Sequence, residues 1–151
     1  GQRIGIRRIM MSLTEALLAA DAEKIARKAT KDFEVERLSE ILGEPFILHL
    51  QQVPSRRVRE IQDSAMQVDT STGQLKGVDN YELQMRMLCD GITNKDFDGA
   101  DVLKHYNVAS RKELFAVLFN AGEVQDVANA ISELCGFGQK QTKKAVEAVK
   151  N

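Results

Sequence analysis

Phe33-Glu34-Val35-Glu36-Arg37-Leu38, Gly43-Glu44-Pro45-Phe46-Ile47-Leu48-His49-Leu50 and Pro54-Ser55-Arg56-Arg57-Val58 are successive pieces of one stretch, and the hydrophobic period changes twice across them. In the first, Phe33, Val35 and Arg37 alternate with Glu34, Glu36 and Leu38, as a half-buried strand requires. After the Gly43-Glu44-Pro45 break, Phe46, Leu48 and Leu50 alternate with Ile47, His49 and Gln51, giving a second strand. Then Pro54, Val58, Ile61 and Ala65 recur at three- and four-residue steps, which is a helix. Pro54 blocks further strand, and Ser55 is placed to cap the helix. Two short strands leading into an amphipathic helix are therefore expected, between residues 33 and 66.

Outward from this block the chain reads as helical. Ser12-Leu13-Thr14-Glu15 is a capping-box pattern before Leu13, Ala16, Leu17 and Ala20. Helical propensity runs on through residues 22–29, where Ile25 is the one large apolar residue, so that part is expected to be exposed or kinked. Residues 67–78 are rich in Asp, Thr, Ser and Gly and lack a period, so they read as a flexible loop and a candidate hinge. Asp79 opens a helix with Glu82 three residues on and the stripe Tyr81, Met85, Leu88, Cys89 and Ile92, with Gly91 placed to end it. Ser110 caps another helix, carrying Leu114, Phe115, Leu118 and Phe119. Asn120-Ala121-Gly122 breaks it, and Glu123 starts a helix whose stripe is Val124, Val127, Ala128, Ile131, Leu134 and Cys135, closed by Gly136. A polar helix is expected over 142–150. The fold class is thus α+β and predominantly α-helical: a small helical bundle with a short two-stranded β element near the N-terminal third. A lone hairpin is marginal in water, so the strand pair needs helices over it or a partner's strand beside it.

A chain of 151 residues suits one domain, and a net charge of −1 exerts no global pull toward nucleic acid or an anionic membrane. No apolar run approaches the roughly 18 residues of a membrane span. Residues 1–10 begin with Gly and precede Met11-Ser12, and read as a cloning remnant or extraneous upstream translation. Residues 11–137 read as the single domain and residues 138–151 as a polar helix or tail. Cys89 and Cys135 stand far apart within helical patterns and read as buried thiols of a reducing compartment.

No constellation carries catalysis. Asn94-x-Asp96-x-Asp98-Gly99 imitates the start of a calcium loop, but its twelfth position is His105 where a bidentate Glu is needed, and its eighth is Asp101 where an apolar residue belongs. The bland reading, an Asp-rich turn capping the next short helix, is preferred. His49 and His105 have no ligand spacing with the cysteines. Nucleophile elbows, phosphate-cradling glycine loops and HExxH pairs are missing. Glu34 and Glu36 sit on a presumed solvent face, without the burial that tunes a general acid or base. Arg56, Arg57 and Arg59 cluster, but Glu60 and Asp63 dilute their field. A helix-turn-helix forced onto residues 111–135 would present Glu123, Asp126 and Glu133 to phosphate. No enzyme, no cofactor and no metal are expected.

The order of pieces carries a resemblance. A capped Leu-rich start, a charged strand ending Glu36-Arg37-Leu38, Leu42-Gly43-Glu44-Pro45-Phe46 with a second strand, and the Pro-started Val58-Arg59-Glu60-Ile61-Gln62 come first. Cys89-Asp90-Gly91-Ile92, Phe97, a short helix near Leu103, Leu118-Phe119-Asn120-Ala121-Gly122-Glu123-Val124 and Leu134-Cys135-Gly136-Phe137 follow. From Ser12 to Phe137 this resembles the XkdN-like tail assembly chaperones of long-tailed phages and prophage-derived tail particles. Asn120-Ala121 stands where a proline or leucine is expected beside the Gly-Glu.

The resemblance implies a non-enzymatic assembly factor. It would be made in the cytoplasm of the bacterial host, would bind and solubilise the tape-measure protein, and would be absent from the mature virion. It also implies that a frameshifted extension, joined after about Gln139, recruits the tail-tube protein. Such a factor needs an apolar face or groove. Leu114, Phe115, Leu118 and Phe119 form a cluster wide enough to serve as a client-binding surface, although a helix central to a bundle is also apolar on several sides and would bury all four. The strand pair could in addition take a strand from a second copy, giving a homo-oligomer. The alternatives are a mobile-element-encoded regulator that contacts nucleic acid through Arg56–Arg59 or the lysine-rich end, and a structural tail subunit.

Overall fold

The computed structural model describes residues 12–138. The expectations for residues 1–10 and for a helix over 142–150 lie outside the described residues. Within them the order is α1 (Leu13–Ala19), α2 (Ala22–Ala26), β1 (Thr30–Glu34), α3 (Glu36–Leu42), β2 (Ile47–Gln51), α4 (Ser55–Ser64), β3 (Met66–Val68) and β4 (Leu75–Val78). Then come α5 (Asn80–Gly91), a 3-10 turn (Lys95–Asp98), α6 (Ala100–His105), α7 (Arg111–Leu118) and α8 (Ala121–Leu134). The protein is α+β and mostly helical, with β1 and β2 forming a small antiparallel sheet near the N-terminal third.

The helix starts follow from local capping. Ser12, Asp79, Ser110 and Asn120 each accept a hydrogen bond from the backbone N–H three residues on. Only Asn120 and Glu123 complete the reciprocal box, and they place the start of α8 at Ala121, two residues before the expected Glu123. At α4 the expected cap is corrected: Pro54 holds the N-cap position, Ser55 is the first helical residue, and no side chain caps the end.

The strand alternation holds where it was clearest. Leu48 and Leu50 of β2 are buried while Ile47 and His49 face out. The first strand lies earlier than its alternation predicts, beginning at Thr30 instead of Phe33. It ends at Glu34, and Glu36–Leu42 is helix, so Arg37 and Leu38 are not strand residues. Leu38, Ile41 and Leu42 recur at helical steps, and Gly43, in the left-handed region at φ 72°, terminates α3. The strands are therefore joined by a helix as well as by the expected Gly43-Glu44-Pro45 break. The second difference lies at 67–78, where β3 and β4 form a further antiparallel hairpin with a register irregularity between Gln67 and Val68.

The core lies where β2, α4, α5, α7 and α8 meet. Leu48, Ile61, Leu88, Leu114, Phe115 and Ile131 are fully enclosed there. α5 and α8 pack closely because Gly91 carries no Cβ: one added there would come within 2.6–2.9 Å of three Ile131 carbons. Gly91 is thus the last helical residue, with Ile92 as the C-cap, and its missing Cβ serves packing and not a left-handed cap. Residues 12–32 are exposed throughout, so α1 and α2 form an arm outside the core, and the stripe of Leu13, Ala16, Leu17 and Ala20 is uncovered.

Candidate functional site

α3, α6 and α7 bound a groove of about 330 Å³. α3 contributes Leu38, Ile41 and Leu42, α7 contributes Val117 and Leu118, and α6 contributes Val102, followed by Tyr106. Its floor is aromatic. Phe46 lies 5.8 Å from Phe97 and 6.1 Å edge-on from Phe119, Phe97 meets Phe115 edge-on at 5.2 Å, and Phe115 stacks on Phe119 at 5.5 Å. Offset and edge-on ring pairs of this kind add to the burial energy that holds the floor together. The walls are apolar yet uncovered: Ile41 is 67% exposed, Leu42 55% and Val117 57%. Together they form an exposed apolar patch, the kind of surface that marks protein interaction.

The wall formed by α3 is held by Arg37. Its Nε and Nη2 donate to the two Glu123 carboxylate oxygens at 2.9 and 2.8 Å, and Nη2 also donates to the Leu118 carbonyl at 2.7 Å. Glu123 meanwhile accepts the Asn120 N–H at 2.9 Å. One carboxylate therefore caps α8 and anchors α3 across the end of α7. The Arg37 hydrogen bond holds the Glu123 carboxyl below the usual carboxylate range, against the opposing effect of burial.

The residues singled out as a client surface divide. Leu114, Phe115 and Phe119 are buried, the latter two under the groove, and only Leu118 opens into it. Ile41, Leu42 and Val117 went unnoticed in the sequence, although the spacing Leu38, Ile41, Leu42 was a usable signal.

The other candidates are in structural use. Asn94 closes the free side of β2, accepting the His49 N–H at 2.8 Å and donating to the Ile47 carbonyl at 3.0 Å. Asp98 accepts two hydrogen bonds from Arg111, at 2.8 and 2.9 Å. Among the described residues no group of His, Cys, Asp and Glu is arranged to hold a metal ion. His49 pairs with Asp32 across the sheet at 2.8 Å on an exposed face. Within the arginine cluster, Arg57 is bound to Asp90 and Glu60. Beyond α3, a second depression is ringed by Glu34, Glu36, Glu40 and Glu44, which repel phosphate. Cys89 and Cys135 are free and half-buried, and burial pushes the Cys89 thiol up. No helix among the described residues is long and apolar enough to cross a membrane.

Residues 14–150 match the sequence profile of the family described as phage XkdN-like tail assembly chaperone protein. The chain belongs to that family. The match extends past Phe137 and takes in the polar C-terminal segment of this tail assembly chaperone. No curated protein matches the chain. Among solved structures, the crystal structure of the protein yqbn is similar at 18% identity, covering 72% of this chain and 87% of that one with a TM-score of 0.49.

Proposed function

We propose that this tail assembly chaperone binds and solubilises the tape-measure protein by taking an apolar helical segment of it into the groove between α3, α6 and α7. The observation that carries the reading is the uncovered apolar wall of Ile41, Leu42 and Val117 over an aromatic floor, in a chain of this family. An amphipathic helix lays apolar side chains at three- and four-residue steps into such a groove. Leu118 contributes directly, while Leu114, Phe115 and Phe119 act from beneath by fixing the floor. The work is binding and release, with no bond chemistry. It takes place in the host cytoplasm, and the protein leaves before the virion is complete. A tail-tube subunit is recruited through a longer form that continues past about Gln139.

The test is co-expression with a tagged tape-measure segment from the same genome, followed by capture at high salt. Apolar burial predicts that the segment becomes soluble and co-purifies in a salt-resistant complex, whereas phosphate-driven binding would collapse with salt. Leu42→Asp with Val117→Asp is expected to abolish capture and leave the melting temperature unchanged, since neither side chain is in the core. Capture that survives both substitutions would move the site elsewhere, and an insoluble, uncaptured segment would remove the client altogether.

A further inference from the structure

β1 is an edge strand with an open side. The two ends of its ladder fix the parity: Val35 donates its N–H to the Phe46 carbonyl at 3.0 Å, and Gln52 donates to that of Ala29 at 2.8 Å. In the observed register the hydrogen-bonded pairs therefore include Lys31 with Leu50 and Phe33 with Leu48. The N–H and C=O groups of Thr30, Asp32 and Glu34 consequently point away from β2. The equivalent side of β2 is closed, because His49 and Ile47 bond to Asn94 and Thr93. No described residue does the same for β1, whose residues are exposed apart from half-buried Phe33. An unclosed edge is a template for another strand.

We infer that β1 pairs antiparallel with β1 of a second copy about a two-fold axis at Thr30, making a four-stranded sheet in the order β2, β1, β1, β2. Side-chain charge selects both the partner and the register. Only even-numbered residues present their backbone groups outward, so even residues must oppose even residues. Centring on Asp32 sets it against its own copy, centring on Lys31 does the same for that lysine, and centring on Phe33 sets Asp32 against Glu34. Centring on Thr30 opposes Lys28 to Asp32 on both sides of the axis, Thr30 to Thr30, and Phe33 to Arg27, with no like charges facing. Opposite-charge and Thr–Thr cross-strand pairs stabilise a sheet and facing like charges destabilise it. The charges on β1 thus act as a register code as well as a guard against indiscriminate aggregation. The same register sets the end of α2 beside the partner's Glu34, bringing the uncovered arm against the second copy. This inference does not rest on the client reading.

Sedimentation velocity of the full chain from micromolar to submillimolar concentration tests it. A monomer–dimer equilibrium is expected. Thr30→Pro removes an N–H that the intrachain ladder does not use, so it should leave the circular dichroism spectrum intact and raise the dimer dissociation constant about tenfold or more. Lys28→Asp and Asp32→Lys should each weaken the dimer, and the two together should restore it. If Thr30→Pro fails to fold, the charge exchange alone decides. A monomer at every concentration would overturn the inference, as would a dimer indifferent to these substitutions.

Discussion

Arg111, the first residue of α7, engages all five N–H donors of its guanidinium. Nε and Nη2 hold Asp98, Nη1 donates to the Cys89 and Ile92 carbonyls at 2.8 and 2.7 Å, and Nη2 also reaches the Asn94 carbonyl at 3.0 Å. The side chain closes the C-terminal carbonyls of α5 and fixes the turn that seats Phe97 under the groove, with its plane over the Phe115 ring. Lysine has no planar fork, so Arg111→Lys should cost about 2–3 kcal/mol in urea unfolding, and an unchanged midpoint would refute this role. A pH dependence follows from Glu123 and Glu82. Arg37 lowers the first, Lys112 and then Arg86 lower the second, and both folded values lie below the ordinary 4.5. The unfolded chain takes up these protons first as pH falls. Their contribution is therefore complete above pH 4.5 and is lost as pH drops through the depressed folded values. Glu123→Gln should lower the neutral-pH midpoint and flatten the acid slope, and a slope equal to that of the unsubstituted protein would contradict it. At this scale the sequence was legible where bonding is local and the cap directly precedes the apolar stripe: Ser12, Asp79 and Ser110 cap within three residues, whereas Asn120 was read as a helix break. The fork of Arg111 was not legible, because its partners lie on elements that only packing brings together.

Among the elements, α5 and α8 depend on their close contact at Gly91. Gly91→Ala should cost about 1–3 kcal/mol, since Ile131 is enclosed and has nowhere to retreat. Thermal or denaturant unfolding measures it, and a neutral effect would mean that α8 shifts freely. The apolar faces of α4, α5 and α8 were readable from their period, because burial on one side of a helix leaves a direct trace in sequence. α3 was misread because Glu36, Arg37 and Leu38 extend the alternation of Phe33 and Val35 by accident, and seven residues are too few for either period to dominate. The hairpin at 66–78 was missed for a related reason. Its strands are three and four residues long, with no buried alternation. Its turn is built from Asp69, which accepts the Ser71 N–H at 2.9 Å and hydroxyl at 2.6 Å. Such a turn has the composition of a loop, and the strands beside it are held by pairing alone.

Among the described residues a closed core is flanked by the groove and by the N-terminal arm with its adjoining edge strand, and the β3–β4 hairpin is exposed as well. Salt-resistant capture of a tape-measure segment, lost in Leu42→Asp with Val117→Asp, belongs to the groove, while dimerisation at Thr30 belongs to the edge. Because the two lie on different elements, either result can stand without the other. The sequence by itself determined the caps at Ser12, Asp79 and Ser110, the apolar faces of α4, α5 and α8, the Leu48/Leu50 strand and the resemblance to the family, since each is recorded in residues a few positions apart. Only the tertiary structure decided that α3 crosses between β1 and β2, that Arg37 clamps it to Glu123, and that Phe115 and Phe119 lie beneath the groove instead of lining it. The clamp joins residues 86 positions apart and the floor sets Phe46 against Phe119 from a distant element, while α3 is too short for its own period to settle its state. A hydrophobic period states that a face must be covered, and the packing of the whole chain chooses what covers it.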